Sequence, residues 1–345
     1  MRLTLRLIWV PALLVLALSG CSSIGSAMKA SPSLANATGF ADIPMPYLEE
    51  RYVNENSHFM EVNGYRIHYQ DQGSGETIIL LHGIYSSLQT WDGWTAKLSK
   101  RYRVITLDMP GFGLTGAPEN PDDFDEDSMV NTFAKFVERL DLENFTLAGN
   151  SYGGFIAARY AAQYANRVDR LALLDPFGYP QDTSWLVGFG TSFPIAYLAQ
   201  WVQPPLVITM SLRMAYGDPR RMTDANISRY VHMSQREGAK PIYVKTLEMV
   251  DERAENESPL PFYRIKAPTL LMWGDDDPWV PASLAERWLN DVPQAKLVTY
   301  SGVGHIPMEE IPAETLKDFE TFLSQGLTPF SDSLAAAREN EPDRS

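Results

Sequence analysis

The chain has 345 residues, 45% hydrophobic and 21% charged, enough to bury a large core in one large domain or two smaller ones. Its formal charge is −14, or −16 once residues 1–20, which hold Arg2 and Arg6 and no acidic residue, are removed. Nucleic-acid binding is set aside on that ground, because it is dominated by Lys and Arg contacts to phosphate.

The N-terminus, MRLTLRLIWVPALLVLALSGCSS, has a basic start, an apolar run from Leu7 to Leu18 and then small residues. That is the build of an export signal, and the run is shorter than the ~20 apolar residues a membrane-spanning helix needs. Cys21 is the only cysteine, so no disulfide can form within one molecule. Leu18-Ser19-Gly20-Cys21 resembles the lipobox of bacterial lipoproteins. The resemblance implies a signal peptide over 1–20, a lipidated Cys21 and, with Ser22 next, attachment to the outer membrane of the cell envelope. At ~0.8 kcal/mol per buried CH₂, several acyl chains on one cysteine anchor a protein firmly. The alternative is an ordinary signal peptide, or a short uncleaved anchor, with a chance cysteine. Residues 21–50 are expected to be a tether.

From about His58, short β-rich runs alternate with amphipathic stretches of helical length. His58–Val62 and Tyr65–Gln70, split by Asn63-Gly64, predict a hairpin. Then follow a run at Thr77–Leu81, a helical stretch at Ser87–Ser99, a run at Val104–Asp108 and a helix over Ser128–Leu140. Phe145–Ala148 leads to Ser151, a helix covers Gly153–Ala165, and Leu171–Leu174 is a buried strand. This order predicts an α/β fold with a mostly parallel sheet flanked by helices, its core spanning residues 51–177 and 263–326. Between the strand ending near Asp175 and the one beginning near Pro268, residues 178–262 carry helix signals only, including Asp224–Arg236 and Pro241–Ala254. They are expected to form a helical cap over a site at the strand ends. Alternation resumes with Pro268–Trp273, Pro281–Leu289, Lys296–Tyr300 and Glu314–Ser324, and residues 327–345 are polar and aperiodic, an expected disordered tail.

Gly149-x-Ser151-x-Gly153 arises by chance in roughly one chain in ten of this length. Its context is more telling, since it lies after a predicted strand and opens a predicted helix, as a serine elbow requires. A turn that lifts a side chain above the sheet crowds the backbone two residues to either side, where Gly149 and Gly153 have no Cβ. A serine hydroxyl also needs a base, and the base an orienting group. Of five histidines, His58 and His68 lie in the hairpin, expected to be remote from the strand ends; His82 follows a strand and His232 sits in the cap. His305, in the loop after the last predicted strand, is the best placed. For the acid, Asp275, Asp276 and Asp277 end another strand, the first two reading as a solvated turn; Asp175, ending the strand Leu171–Leu174, is a rival.

From about His58 to Leu323 the chain resembles an α/β-hydrolase of the capped branch that includes bacterial lipases, esterases and meta-cleavage C–C hydrolases. The matching pieces are Leu81-His82-Gly83, Asp108-Met-Pro-Gly-Phe-Gly113, Gly149-Asn-Ser-Tyr-Gly-Gly154, Trp273-Gly274-x-x-Asp277-x-x-x-Pro281 and Gly304-His305-x-Pro307-x-Glu309. They occur in the order Ser, Asp, His. The resemblance implies Ser151 as nucleophile, His305 as general base and then acid, and Asp277 as its orienting partner. Oxyanion donors are expected from the backbone N–H groups of Tyr152 and Ile84, with Tyr85 second to Ile84. This chemistry needs no metal or organic cofactor, and no cluster has metal-ligand spacing.

Serine at position 151 argues against epoxide hydrolases and haloalkane dehalogenases, which resemble this chain but use aspartate there. Ile306 stands where meta-cleavage hydrolases commonly carry tryptophan, which makes C–C hydrolysis an alternative, as is perhydrolysis on the same triad. The cap holds Trp185, Phe189, Phe193, Tyr197 and Trp201 at four-residue spacing, then Met210 and Met214. Most are expected to pack cap against core. A cap so lined favours a small-molecule ester or lipid with an apolar acyl group. A reading of another class is a catalytically silent lipoprotein that binds a lipid or partner.

Overall fold

The computed structural model describes residues 38–118, 120, 123–182, 188, 190–256 and 260–325. One sheet contains β1 (Ser57–Val62), β2 (Tyr65–Gly73), β3 (Thr77–Leu81), β4 (Arg103–Leu107), β5 (Phe145–Asn150), β6 (Val168–Leu174), β7 (Thr269–Gly274) and β8 (Ala295–Tyr300). Its order is β1-β2-β4-β3-β5-β6-β7-β8, parallel except that β2 runs antiparallel to both β1 and β4. Every residue of β5 and β7 is buried, since helices cover both faces; such strands read as continuous apolar runs. The chain winds from β3 outward to β4, then returns past β3 to β5 and continues to β8. The end of β5 therefore lies at the point where strand order reverses, where open α/β sheets bind ligands.

The helices are α1 (Met45–Tyr52), α2 (Asp92–Leu98), α3 (Glu126–Arg139), α4 (Tyr152–Gln163), α5 (Ile195–Ala199), α6 (Pro205–Ala215), α7 (Asp224–Ser234), α8 (Ala239–Glu255), α9 (Ala285–Asp291), α10 (Pro307–Glu310) and α11 (Pro312–Ser324). On one face of the sheet, Phe133 and Phe136 of α3, Phe155 and Ile156 of α4 and Trp288 of α9 share a core. On the other, Trp94 of α2 stacks on Phe319 of α11 with ring centroids 4.6 Å apart. The Asn63-Gly64 hairpin forms with φ of 51° and 81° at its two central residues, the geometry that suits this pair. The helical stretch from Ser87 divides into a 3₁₀ turn at Leu88–Trp91 and then α2. β6 starts at Val168, before its apolar run, because Asp169 and Arg170 lie at the strand end that is only partly covered.

The expected tether is shorter than residues 21–50. From Ile43 the chain is bound to the fold: Ile43 N–H donates to Gln235 O (2.7 Å), Glu237 N–H donates to Ile43 O (3.0 Å), and Leu48 of α1 is buried against Leu114 and Met233. One fully buried residue in an otherwise polar helix leaves little periodicity to read. Residues 1–37, including Cys21, lie outside the described residues, as do Trp185, Phe189 and residues 326–345. Among the described residues, no helix is long and apolar enough to cross a membrane.

Between β6 and β7 the described residues form α5 to α8 and short 3₁₀ turns, with no strand. This insertion is fixed to the loop after β8 by two glutamates. Glu309 accepts from Thr90, Tyr216, Asn226 and Arg229 at 2.6–2.8 Å. Glu310 accepts from the backbone N–H groups of Gly217 (3.0 Å), Asp218 (2.9 Å) and Gly304 (2.9 Å), and from Arg221 (2.8 Å). Orphaning a buried donor costs about 1–3 kcal/mol. Glu310→Ala is therefore expected to lower unfolding stability by on the order of 3 kcal/mol in urea titrations, and Glu310→Gln, which keeps one acceptor oxygen, by less.

Candidate active site

Ser151 connects β5 to α4 at φ 54° and ψ −122°, a conformation that few residues with a side chain adopt. Its N–H donates to Leu174 O (2.9 Å), and its carbonyl accepts from Phe155 N–H (3.0 Å) and Phe177 N–H (3.1 Å). The glycines two residues to either side are required by close approach. A Cβ on Gly149 would lie 2.4 Å from Gly153 O, and one on Gly153 would lie 2.3 Å from His82 O.

His305 and Asp277 meet across two loops, with His305 Nδ1–H donating to Asp277 Oδ2 at 2.7 Å. Asp277 Oδ1 accepts from the N–H groups of Trp279 (2.7 Å) and Val280 (3.1 Å), so the carboxylate is held from both sides. With Nδ1 donating, Nε2 is left as the acceptor of a neutral imidazole, the state a general base needs. Asp275 and Asp276 are exposed, as expected, and Asp275 accepts from Gly302 N–H (2.7 Å), bracing the β7 and β8 turns.

Asn150, which the sequence reading did not single out, joins the serine turn to the histidine loop. Its amide donates to His305 O (2.9 Å) and to Leu174 O (3.1 Å). An asparagine ending an otherwise apolar strand was the available signal, because a fully buried amide must find partners. From the other side, His305 N–H donates to Ala215 O at the end of α6 (2.8 Å). Among the described residues no hydrogen bond joins Ser151 Oγ to His305, a contact that commonly tightens only with substrate.

The loop after β3 passes directly over Ser151, since a Cβ on Gly83 would lie 3.0 Å from Ser151 Cβ. Ile84 follows, with Tyr85 at φ 59°. Among the described residues the N–H groups of Ile84 and Tyr152 have no acceptor, and Tyr152 begins α4, where the helix dipole favours negative charge. The Tyr152 side chain is buried beside Phe155 and Phe177.

His68 is not remote from the strand ends. β2 lies antiparallel to β4 with Tyr69 opposite Leu107, which brings His68 to the carboxyl end of β4. There it is fully buried, with Nδ1 donating to Asp108 Oδ2 (2.7 Å) and Nε2 3.1 Å from Ser57 Oγ. Asp108 also accepts from Leu88 N–H and Leu114 N–H, both at 2.8 Å. Burial acts to raise its pKa, but the His68 hydrogen bond and charge outweigh it and hold the carboxyl below the usual value. His82 accepts from Met109 N–H through Nε2 (3.0 Å), and burial lowers its pKa.

Asp175 ends β6 at φ 45° and is fully buried. One oxygen accepts from Gly274 N–H (2.9 Å), while the other meets no donor and faces the Asp277 carboxylate. Two acceptors can share that contact only if one carries a proton. Burial first, and the Asp277 charge second, raise the Asp175 pKa well above the ordinary value, so the proton resides on Asp175. Asp277, not Asp175, accepts the hydrogen bond from His305 Nδ1–H.

The chain matches the family described as "alpha/beta hydrolase fold" over residues 76–312. It belongs to that family. It is 30% identical over 276 residues to an uncharacterised protein of Mycobacterium tuberculosis, covering 77% of this chain and 80% of the relative. Lipase 3 of Moraxella sp. is 28% identical over 262 residues, covering 73% and 78%. A crystal structure of a membrane phospholipase A, described as a bacterial virulence factor, superposes with a TM-score of 0.66 at 27% identity, covering 92% of this chain and 97% of that one. The chain is a hydrolase of this family.

Two outcomes follow from the acidic pair. Asp277→Asn is expected to lower turnover by roughly 10³–10⁴-fold, and Asp175→Asn by less than about tenfold, in steady-state hydrolysis of any substrate the chain turns over. The folded chain holds on Asp175 a proton that the unfolded chain releases above about pH 4, so wild-type stability falls as pH rises from there toward the raised folded pKa. The stability of Asp175→Asn relative to wild type is therefore expected to increase from pH 5 to pH 8 in urea titrations.

Proposed function

We propose that the chain is a serine hydrolase that cleaves carboxylic esters of apolar acyl groups through an acyl-enzyme on Ser151. The observation that carries this reading is the 2.7 Å bond from His305 Nδ1 to Asp277 Oδ2, in a loop bound through Asn150 to the strained turn of Ser151. Ser151 Oγ attacks the ester carbonyl carbon while His305 Nε2 takes the hydroxyl proton and Asp277 stabilises the imidazolium. The Tyr152 and Ile84 N–H groups receive the developing oxyanion, each such donor contributing ~3 kcal/mol to the transition state. Collapse expels the alcohol, which takes the proton from His305. Water, deprotonated by His305, then attacks the acyl carbon and frees Ser151.

Support for ester over C–C cleavage comes from Ile306, where meta-cleavage hydrolases commonly have tryptophan; a likeness to a lipase and a membrane phospholipase A agrees with it, though C–C hydrolases are as similar to this chain. The helical insertion between β6 and β7 serves as the cap, and Cys21 as a lipidated N-terminus on the bacterial cell envelope.

A serine-reactive fluorophosphonate is expected to label the folded wild type and not Ser151→Ala; a wild type that fails to label ends the reading of Ser151 as an acyl-accepting nucleophile. In a series of p-nitrophenyl esters, kcat/KM is expected to rise from acetate to longer acyl chains, and a preference for acetate would count against an apolar acyl site.

A further inference from the structure

The stripe Phe193, Tyr197, Trp201 does not pack cap against core. These residues are 87%, 57% and 62% exposed, and Leu206 and Val207 of α6 follow at 69% and 50%, with Met210 at 54%. Leu206, Val207 and Met210 share one side of α6. The opposite side carries Leu212, buried, and ends at Ala215, whose carbonyl holds His305 N–H. A helix apolar all round is normally covered on every side. Patches of this kind mark interaction sites, and Tyr and Trp are the side chains enriched where one end of a ring is apolar and the other wet.

Two observations identify what covers it. First, residues 183–217 contain a single charged residue, Arg213, where the chain's 21% would place about seven, and no acid at all, although the chain carries 43. Second, the described chain enters beside this patch. Gln203 N–H donates to Gly39 O (3.1 Å), and a Cβ on Gly39 would lie 2.2 Å from Gln203 C, so the two backbones touch between Trp201 and Leu206. The preceding residues hold the apolar run Leu7–Leu18 and Cys21. The 17 residues from Cys21 to Thr38 can span at most about 60 Å, so an anchor at Cys21 keeps the patch close to its own membrane.

We propose that the outward face of α5 and α6, with Trp201 between them, docks on the lipid bilayer to which the N-terminus is attached, presenting the cap of the hydrolase site to its lipid substrate. The inference rests on the membrane-anchored reading given above. The chain without residues 1–20, of charge −16, has no net electrostatic attraction to anionic lipid, so docking is driven by apolar burial and favours zwitterionic surfaces.

The test uses the full chain reconstituted in phosphatidylcholine vesicles, with Leu206→Cys carrying a nitrobenzoxadiazole label, the unsubstituted chain as blank for Cys21, and Glu138→Cys on exposed α3 as control. Nitroxide-labelled phosphatidylcholine is expected to quench the Leu206 position at least about twofold more than the Glu138 position, independently of the number of chains per vesicle. Equal quenching overturns docking. Shielding of the Leu206 position from aqueous iodide that disappears on diluting chains per vesicle also overturns it and assigns the patch to a second copy. Leu206→Glu with Val207→Glu is expected to lower hydrolysis of vesicle lipid by about tenfold or more and leave p-nitrophenyl butyrate hydrolysis within about twofold. Equal losses on both substrates would assign these residues to the fold instead. Quenching without hydrolysis of any ester would support docking while refuting the ester-hydrolase reading.

Discussion

The site depends on one residue held where its own backbone resists being. At φ 54° and ψ −122° Ser151 carries a strain of about 1–3 kcal/mol, and three backbone hydrogen bonds oppose its release. They run to Leu174 at the end of β6, to Phe155 in α4 and to Phe177 beyond β6. The same pairing of β5 with β6 that builds the sheet therefore fixes the turn. Because the turn reverses the chain within one residue, α4 begins at once, and the Tyr152 N–H is left unpaired beside the serine.

Hydrogen-bond geometry alone does not make such a site. Ser57, His68 and Asp108 form a complete serine–histidine–aspartate hydrogen-bond chain, at 3.1 and 2.7 Å, in the same molecule, whereas Ser151 Oγ is not bonded to His305. What differs is their surroundings. Ser57 lies in strand β1, its hydroxyl oxygen also accepts from Asn54 N–H, and His68 is fully buried. Asp108 is engaged by Leu88 and Leu114 and braces the loops after β3 and β4. Ser151, by contrast, stands at a helix N-terminus with unpaired N–H groups nearby.

Much of the sheet was legible because buried parallel strands are continuous apolar runs, and β3 matches its run residue for residue. Ser151 and Asp277 could be picked out as candidates because each follows such a run, and His305 because its loop follows the last strand, β8, which is only partly buried. Interactions that cross the fold were not legible. Asn150 and Glu310 bind partners 155 and more than 85 residues away, and even where a local mark exists, as for an asparagine closing an apolar strand, it does not name the partner. His68 was misplaced because a hairpin near the N-terminus looks peripheral until the antiparallel pairing of β2 with β4 brings it to the strand ends. The described part of the aromatic stripe, Phe193, Tyr197 and Trp201, departs from expectation for a related reason, since periodicity reports that a segment has an apolar side and not which way that side faces.

The helical insertion is joined to the histidine loop by polar as well as apolar contacts. Tyr197, Leu198, Leu206, Val207 and Met210 of α5 and α6 are exposed, while Leu212, Tyr216 and Tyr230 pack with Val303, Ile306 and Met308, and Glu309 and Glu310 bridge the two sides. A buried carboxylate surrounded by three fixed backbone donors defines one register. Ala215, Gly217 and Asp218 are thereby placed to within hydrogen-bond tolerance of Gly304 and His305. Arg229 contributes in the same way: it is buried against Glu309 at 2.6 Å, where loss of either partner would strand the other.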